Sequence, residues 1–282
     1  MRRRAVYILC GLLALVSGLI FYIHFSARNS GFGVIFFNIG QGDSALIRFN
    51  NGQKMLVDCG PDKKILSKLG KYLPFYDRTI DYLLVTHPDS DHYGGCVDVL
   101  DQYNVREIIT NSSRKDSDQY WQIWNKKMQA EKARIKIISG AEYWQIGSST
   151  LDFLAPDPSL SIAGKDSGGN NSSVVFKLTN AGESFLFTGD METPLEDALV
   201  QKYCSTTLFA CPTLQAGILK VGHHGSDSSS GEKFLEEVDP QEAVISVGKN
   251  TFGHPSLRVL KKLVRAGARI MRTDEMDDIP ME

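Results

Sequence analysis

The chain has 282 residues, of which 42% are hydrophobic and 23% charged, with 31 Lys and Arg against 33 Asp and Glu. This composition excludes a disordered or collagen-like chain, and five cysteines are too few for a fold built on disulfides. The formal net charge of −2 also excludes a strongly basic protein that would bind nucleic acid by charge alone.

The chain begins with three arginines at positions 2–4, followed by residues 5–25, which contain no Asp, Glu, Lys or Arg. As a helix this segment would be about 31 Å long, close to the thickness of a bilayer's hydrocarbon core. It predicts an uncleaved transmembrane signal anchor, with cleavage near Ala27 as the alternative. The positive-inside rule places the basic stub, residues 1–4, in the cytoplasm and the rest of the chain outside the cell membrane.

Residues 26–31 are interpreted as a linker and residues 32–282 as one domain of class α/β. Early strands follow one another and later strands alternate with helices, which predicts two sheets with helices on their outer faces. The polar, glycine-rich segment 161–173 is expected to be an active-site loop. Strands are predicted at 33–39, 45–49, 54–60, 80–86, 106–110, 134–138, 149–155, 173–179, 184–190, 218–222, 242–247 and 269–273, and helices at 65–73, 94–103, 119–133, 193–203, 231–238 and 255–267.

Four of the five cysteines fall in this domain. Cys204 and Cys211 are close enough in sequence to form a small disulfide loop outside the cytoplasm, and a pair of free thiols is the alternative. Cys59 and Cys96 are interpreted as small buried side chains.

A metal-binding motif follows the strand at 80–86. His87, Asp89 and Asp91 alternate, so that an extended turn can direct all three to one side, and His92 adds a nitrogen from the next position. Two imidazoles and two carboxylates packed together cost solvation free energy unless a cation compensates them. The motif therefore predicts a metal site.

Further metal-competent residues lie at the ends of other predicted strands. Asp190 ends the strand at 184–190, and His223 and His224 follow the strand at 218–222. The chain has only six histidines, and four of them lie in these motifs. The remaining histidine outside the N-terminal segment is His254, which is either part of the site or a turn residue beside a proline.

Together these stretches resemble the metallo-β-lactamase superfamily and, within it, the extracellular hydrolase domain of the ComEC family of DNA-uptake proteins. The resemblance extends from residue 33 to about residue 276. It implies a four-layer αββα sandwich with a dinuclear metal site at the edge between the sheets. The matching segments are NIGQGDSALIRF, LLVTHPDSDHYGG, NNSSVVFKL, FLFTGD, LKVGHHGS and GHPSLRVLKKLVRAGARIMRTD.

The resemblance also implies which residues bind metal. The first ion would be held by His87 and Asp89, the second by Asp91, His92 and one of His223 or His224, with Asp190 bridging the two. The superfamily usually has a histidine at the position of Asp89 and a third histidine on the first ion. Here Asn170, Asn171 or Ser173 occupies the region of that third ligand, so the first site is expected to be under-coordinated.

The expected cofactors are two divalent metal ions. Carboxylate ligands shift the preference toward harder ions, so zinc or manganese is expected, with magnesium as a third candidate. A pair of such ions would lower the pKa of a bound water and polarise a phosphoryl oxygen. Asp91, His224 and His254 are the predicted catalytic residues, with His254 or the spare histidine of the 223/224 pair protonating the leaving group.

Several polar residues are predicted to bind an anionic substrate. For Gln41 and Asp43 in the GQGDS segment the alternative is a β-turn in which Asp43 accepts hydrogen bonds from backbone N–H groups. The predicted substrate-binding residues are Gln41, Asp43, Asn171, Ser173, Lys220 and His254.

These observations predict an exported, membrane-anchored, metal-dependent hydrolase of phosphodiester bonds, a ComEC-like nuclease of DNA uptake or processing. Its expected partners are DNA, the membrane and a separate DNA-uptake channel protein, and its oligomeric state stays open. One alternative is a phosphorylcholine esterase acting on cell-surface polymers, because a surface enzyme of the same superfamily has a similar motif. Another is a binding module that has lost its metal and its activity.

Overall fold

The computed structural model describes residues 2–28, 31–160, 162, 169–204 and 211–281, with the backbone alone for residues 2, 5 and 23–28. Most of the loop predicted at 161–173 therefore lies outside the described residues. Residues 205–210, between Cys204 and Cys211, also lie outside the described residues.

The N-terminal apolar segment lies in a helix, α1, which spans Arg2–Arg28. Across the residues that the structure describes, none of the helices combines the length and apolarity needed to cross a membrane. The transmembrane helix predicted from the sequence is therefore not supported by the structure.

Over the described residues, the rest of the chain forms two seven-stranded sheets. The first has the order β14-β1-β2-β3-β4-β5-β6 and the second the order β13-β12-β11-β10-β9-β8-β7. The strands of the first sheet are β1 (Gly33–Phe36), β2 (Ala45–Arg48), β3 (Lys54–Val57), β4 (Thr79–Leu84), β5 (Asn104–Thr110), β6 (Arg134–Ile137) and β14 (Ile279–Met281). Those of the second are β7 (Glu142–Ile146), β8 (Ser149–Ala155), β9 (Val175–Asn180), β10 (Glu183–Phe187), β11 (Ile218–Lys220), β12 (Glu242–Ile245) and β13 (Arg269–Arg272).

Each sheet has an antiparallel half and a parallel half. In the first sheet β1, β2 and β3 pair antiparallel, whereas β3, β4, β5 and β6 pair parallel. In the second sheet β7 to β10 pair antiparallel and β10 to β13 pair parallel. The carboxyl ends of parallel neighbours meet at one edge, so the loops that follow β4, β10, β11 and β12 can converge there.

Helices cover the outer faces of both sheets. Trp121 and Trp124 of α5 are buried in the core with α2 and α4 on the first sheet. Leu199 of α6, Phe234 of α7 and Leu263 of α8 are buried against the second sheet. The helices are α2 (Lys64–Tyr72), α3 (Ser90–Tyr93), α4 (Cys96–Gln102), α5 (Gln119–Ala130), α6 (Thr193–Tyr203), α7 (Glu232–Val238), α8 (Leu257–Arg265) and α9 (Thr273–Met276).

The inner faces of the sheets enclose a core rich in aromatic rings. Phe176 and Phe187 stack with their centroids 4.7 Å apart, and Phe36 stacks on Phe187 at 5.6 Å. Burying such rings is the main favourable contribution to packing two sheets together. The predicted sandwich of two sheets between outer helices is confirmed.

Two strands lie outside the sequence prediction. β7 forms an antiparallel hairpin with β8, and only its last residue, Ile146, is buried. β14 has three residues, includes Pro280, and pairs with β1 at the edge of the first sheet. Pro280 lacks the N–H of a strand ladder and is tolerated at this edge, so β14 does not have a strong strand pattern.

The cysteines of the domain form two disulfides, Cys59–Cys96 and Cys204–Cys211. The disulfide predicted between Cys204 and Cys211 is confirmed. The interpretation of Cys59 and Cys96 as small buried side chains is confirmed, since both are fully buried. The sequence did not predict that they bond to each other, because only the fold brings the segment after β3 next to the first residue of α4. This disulfide links the two segments that flank the metal motif in space.

Candidate metal centre

The predicted metal residues converge at the edge where parallel strands end. His87 and Asp89 lie between β4 and α3, Asp91 and His92 lie in α3, Asp190 follows β10, and residues 223–224 follow β11. A strand's last residues are fixed by the sheet, so side chains placed just beyond them are held rigidly.

Four side chains form the centre of the site: Asp91, His92, Asp190 and His224 offer ligand atoms that lie within 4.8 Å of one another. His92 Nε2 is 3.2 Å from Asp190 Oδ1. His224 Nε2 is 3.2 Å from Asp91 Oδ2 and 3.4 Å from Asp190 Oδ2. The structure thus brings together the residues that the resemblance assigns to the second ion, and it selects His224 from the pair.

The unpaired atoms of this cluster fit a divalent cation. Apart from the close contact between them, His92 Nε2 and Asp190 Oδ1 have no hydrogen-bond partner among the described residues, and neither does His87 Nε2; all three atoms are buried. Buried polar atoms are normally hydrogen-bonded, so the convergence of these atoms fits a cation bound between them. Two imidazole nitrogens and two carboxylates suit zinc or manganese.

The first metal position has fewer donors. His87 Nε2 lies 4.0 Å from Asp190 Oδ2 and 3.8 Å from Asp89 Oδ2. The other oxygen of Asp89, Oδ1, accepts a hydrogen bond from the ammonium group of Lys115. A positive charge therefore already lies beside one of the three predicted donors.

No further donor reaches this position from the region of the usual third ligand, among the contacts of the described residues. Asn171 Oδ1 accepts a hydrogen bond from the backbone N–H of Glu192, and Ser173 Oγ accepts one from that of Asp190. Both side chains are buried and position the chain around Asp190. Their predicted role in substrate binding has no support in these contacts.

A carboxylate that the sequence analysis missed orients His92. Asp58 Oδ2 is 2.8 Å from His92 Nδ1, and the same carboxylate accepts hydrogen bonds from the backbone N–H and the hydroxyl group of Thr86. The partner of the second ring nitrogen fixes the orientation of a ligating imidazole. The sequence signal for this role was the position of Asp58 directly after β3, at the end of a strand like the other residues of the site.

A second outer group orients His224. Its Nδ1 lies 2.9 Å from the carbonyl oxygen of Ser246 and 3.2 Å from Asp43 Oδ1. Asp43 in turn forms an ion pair with Lys220. Asp43 and Lys220 are only 5% and 4% exposed and lie behind His224, and these contacts give no support to their predicted role in binding substrate.

His223 points away from the cluster. Its Nδ1 is 3.1 Å from Glu192 Oε1 and 3.2 Å from the side-chain nitrogen of Asn170. Both histidines of the pair have left-handed backbone angles, with φ of 46° at His223 and 52° at His224. These angles are costly for residues other than glycine, and here they direct the two rings to different sides.

Two other predicted residues lie at the rim. The ring of His254 is 5.4 Å from that of His223, and its buried Nδ1 has no hydrogen-bond partner within the part of the chain that the structure describes. Burial and the neighbouring His223 and His224 lower the pKa of His254. Gln41 Oε1 accepts a hydrogen bond from the backbone N–H of Gly248, which joins the loops of the two sheets.

The electrostatics of the cluster favour charged carboxylates. Burial opposes ionisation of Asp190, but His224 and His92 hold its pKa well below the usual range. Burial also opposes the ionised form of Asp91, yet the hydrogen bond to His224 helps to lower its pKa to about 2. Burial works against a charged His224 too, whereas Asp190 and Asp43 raise its pKa to about 10. A cation must displace that proton, so its affinity rises with pH.

The sandwich and the Asp–His cluster define a metal-site hydrolase fold, and a family model of the metallo-beta-lactamase superfamily matches residues 38–249. The chain belongs to this superfamily.

Curated relatives with similar sequences confirm the resemblance to the ComEC family. ComE operon protein 3 of Bacillus subtilis (strain 168) is 30% identical over 263 residues, which is 84% of this chain and 31% of that protein. Competence protein ComA of Neisseria gonorrhoeae is 29% identical over 262 residues, 92% of this chain and 33% of that protein. The chain thus spans about a third of the length of these relatives.

Among solved structures, Zn(2+)-bound PqqB from Methylobacterium extorquens has the same fold. It superposes with a TM-score of 0.56 at 10% identity and covers 89% of this chain and 99% of that one.

Proposed function

We propose that this chain is a metal-dependent hydrolase of phosphodiester bonds and that DNA is its substrate. The observation that supports the hydrolase most directly is the buried cluster of Asp91, His92, Asp190 and His224, whose unpaired atoms converge. Divalent cations bound there would supply an ionised water and polarise a phosphoryl oxygen.

The protein's own residues prepare this site. Asp58 and the carbonyl of Ser246 hold the two ligating imidazoles in fixed orientations, which reduces the reorganisation needed when a cation binds. Asp190 faces both metal positions. His254 and His223 lie outside the ligand cluster, so either ring is available to hold a proton for the leaving oxygen.

The proposal of DNA as substrate is supported by the curated relatives. ComE operon protein 3 and Competence protein ComA align with 84% and 92% of this chain. We infer a role in the uptake or processing of DNA, together with a separate channel protein as partner.

The experiment is a substrate panel with the full chain and zinc, manganese or magnesium. Single-stranded DNA, double-stranded DNA, an aryl phosphodiester and a phosphocholine ester are assayed in parallel. We expect cleavage of DNA, and at least a thousandfold loss with Asp190→Ala, because that carboxylate serves both metal positions. Asp197→Ala is the matched control, since Asp197 is an exposed aspartate on α6, and it should retain full activity.

Each alternative function predicts a different result in this substrate panel. Turnover of phosphocholine ester without cleavage of any nucleic acid would replace the nuclease by the esterase. A chain that binds no divalent metal and hydrolyses nothing would be a binding module.

We further propose that the domain works outside the cytoplasm, tethered by the N-terminal segment. The anchor is proposed from the uncharged residues 5–25 and the arginines before them. The location is supported by the disulfides Cys59–Cys96 and Cys204–Cys211, because disulfides persist in oxidising compartments. Thiol trapping in intact cells tests this, and free thiols at the four disulfide cysteines of the native protein would contradict it, whereas Cys10 is free in either case.

A further inference from the structure

The side chain of Asn250 holds the loop between β12 and α8 in one conformation. Asn250 Oδ1 accepts hydrogen bonds from the backbone N–H groups of Phe252, Gly253 and His254, at 3.1, 3.0 and 3.1 Å. Its amide nitrogen donates to the carbonyl oxygens of Gly248 and His254. Five hydrogen bonds from one residue fix the direction in which the loop's side chains point.

This loop holds an aromatic ring in solvent. Phe252 is 72% exposed, and its ring lies 5.7 Å from that of His254, tilted by 35°. One face of the phenyl ring is therefore open to a flat ligand. Lys249, three residues earlier on the same loop, is exposed and adds a positive charge to this surface.

The exposed ring is connected to the metal centre by a row of histidine rings. His254 lies 5.4 Å from His223, and His223 lies 6.1 Å from the ligand His224, measured between ring centroids. A row of rings thus leads from the buried cluster to Phe252 in three steps of 5.4 to 6.1 Å between centroids. Three such steps are longer than one nucleotide, so a strand whose phosphate lies at the metals would bring a base one or two nucleotides away to Phe252.

We propose that Phe252 is a stacking site for a nucleobase of single-stranded nucleic acid, one or two nucleotides away from the phosphate that is cleaved. The inference rests on the proposed function and deepens it, because it names the group that the rim recognises. Aromatic rings bind bases of any identity through their faces, so the site selects a base-bearing strand rather than a sequence. Lys249 adds attraction to the backbone phosphates.

The test is a double-mutant cycle between the ring and the base. Binding and cleavage of a short oligothymidylate are compared with those of an abasic oligonucleotide of the same length, using the full chain with manganese. We expect Phe252→Ala to weaken binding of the oligothymidylate about tenfold, as the loss of one stacked base predicts, and to leave the abasic strand unaffected. Phe252→Trp should preserve or strengthen the preference.

Phe75 provides the matched control. It is 83% exposed, but it precedes β4, whereas the metal motif follows that strand, so the two lie at opposite ends of the sheet. Phe75→Ala should change neither affinity. An equal effect of Phe252→Ala on both oligonucleotides, or no effect on either, would overturn the stacking site while leaving the nuclease intact. A wild-type chain that neither binds nor cleaves nucleic acid would instead overturn the proposed function.

Discussion

The ammonium group of Lys115 lies against Asp89, one of three predicted donors of the first metal position. A cation placed between His87, Asp89 and Asp190 would be repelled by this charge, and Lys115 also competes for a carboxylate oxygen. The first position should therefore bind metal more weakly than the position formed by Asp91 and its neighbours.

Replacement of this lysine tests the asymmetry. We expect Lys115→Met to tighten the weaker class of manganese sites about tenfold and to leave the tighter class unchanged, because it removes one nearby positive charge. Isothermal titration and metal analysis of the dialysed chain measure both classes. Lys126→Met, an exposed lysine on α5, is the control. Identical isotherms for all three proteins would contradict the competition.

At this scale the sequence predicted which side chains could bind metal, but not what surrounds them. His87, Asp91 and Asp190 are recognisable because their residue types and spacing suit metal ligation. Lys115 and Asp58 contact ligands that lie 26 and 34 residues away in the chain. Only the fold creates those contacts, so no local pattern could have predicted them.

Among the helices, α6 carries a buried carboxylate that connects two elements of the second sheet's outer layer. Glu196 is 1% exposed, and its two oxygens accept hydrogen bonds of 2.7 Å from the backbone N–H groups of Ser230 and Gly231, just before α7. Burial nevertheless raises its pKa from 4.5 to about 7, although these two bonds and Lys262 oppose the shift.

This shift predicts a pH dependence of stability. The folded state binds the proton more tightly than the unfolded state, so the stabilisation is complete below pH 4.5 and is lost as pH rises through 7. Relative to Glu196→Gln, which cannot ionise, the wild-type free energy of unfolding should fall by about 2–3 kcal/mol between pH 5 and pH 8. Urea titrations of both proteins measure the difference. Parallel curves over this range would contradict a raised pKa.

Elements were predictable where hydrophobic periodicity was strong. Helix α8 follows its amphipathic pattern and begins after Ser256, whose hydroxyl accepts a hydrogen bond from Val259 N–H. β7 was not predicted because only one of its residues, Ile146, is buried, and the others are exposed or half-buried. A strand of this kind is defined by its hairpin partner rather than by its own residues.

For the whole molecule, the sequence predicted the layers but not how they close around the site. The alternation of strands and helices indicated the sandwich, while the order of strands within each sheet depends on pairings between distant segments. One such connection is the disulfide Cys59–Cys96, whose half-cystines adjoin Asp58 on one side and the loop of His92 on the other. This covalent link should stabilise both the fold and the metal centre.

The two disulfides of the domain allow these effects to be separated. Removing a disulfide restores conformational entropy to the unfolded chain, and the cost grows with the length of the closed loop. The separation of 37 residues for Cys59–Cys96 predicts a loss of about 4 kcal/mol, and that of 7 for Cys204–Cys211 about 2.5 kcal/mol. Denaturant unfolding of the two double Cys→Ser variants measures these losses.

Metal affinity provides the second readout of the same pair of variants. Because Cys59 adjoins the carboxylate that orients His92, its double variant should also bind manganese more weakly, whereas the Cys204/Cys211 variant should bind it normally. Equal affinities in the two variants would mean that hydrogen bonds alone hold the metal loop in place. If the Cys59/Cys96 variant lost stability but bound manganese normally, the disulfide would stabilise the fold without affecting the metal centre. The ends of the strands would then be sufficient to hold the ligands in place.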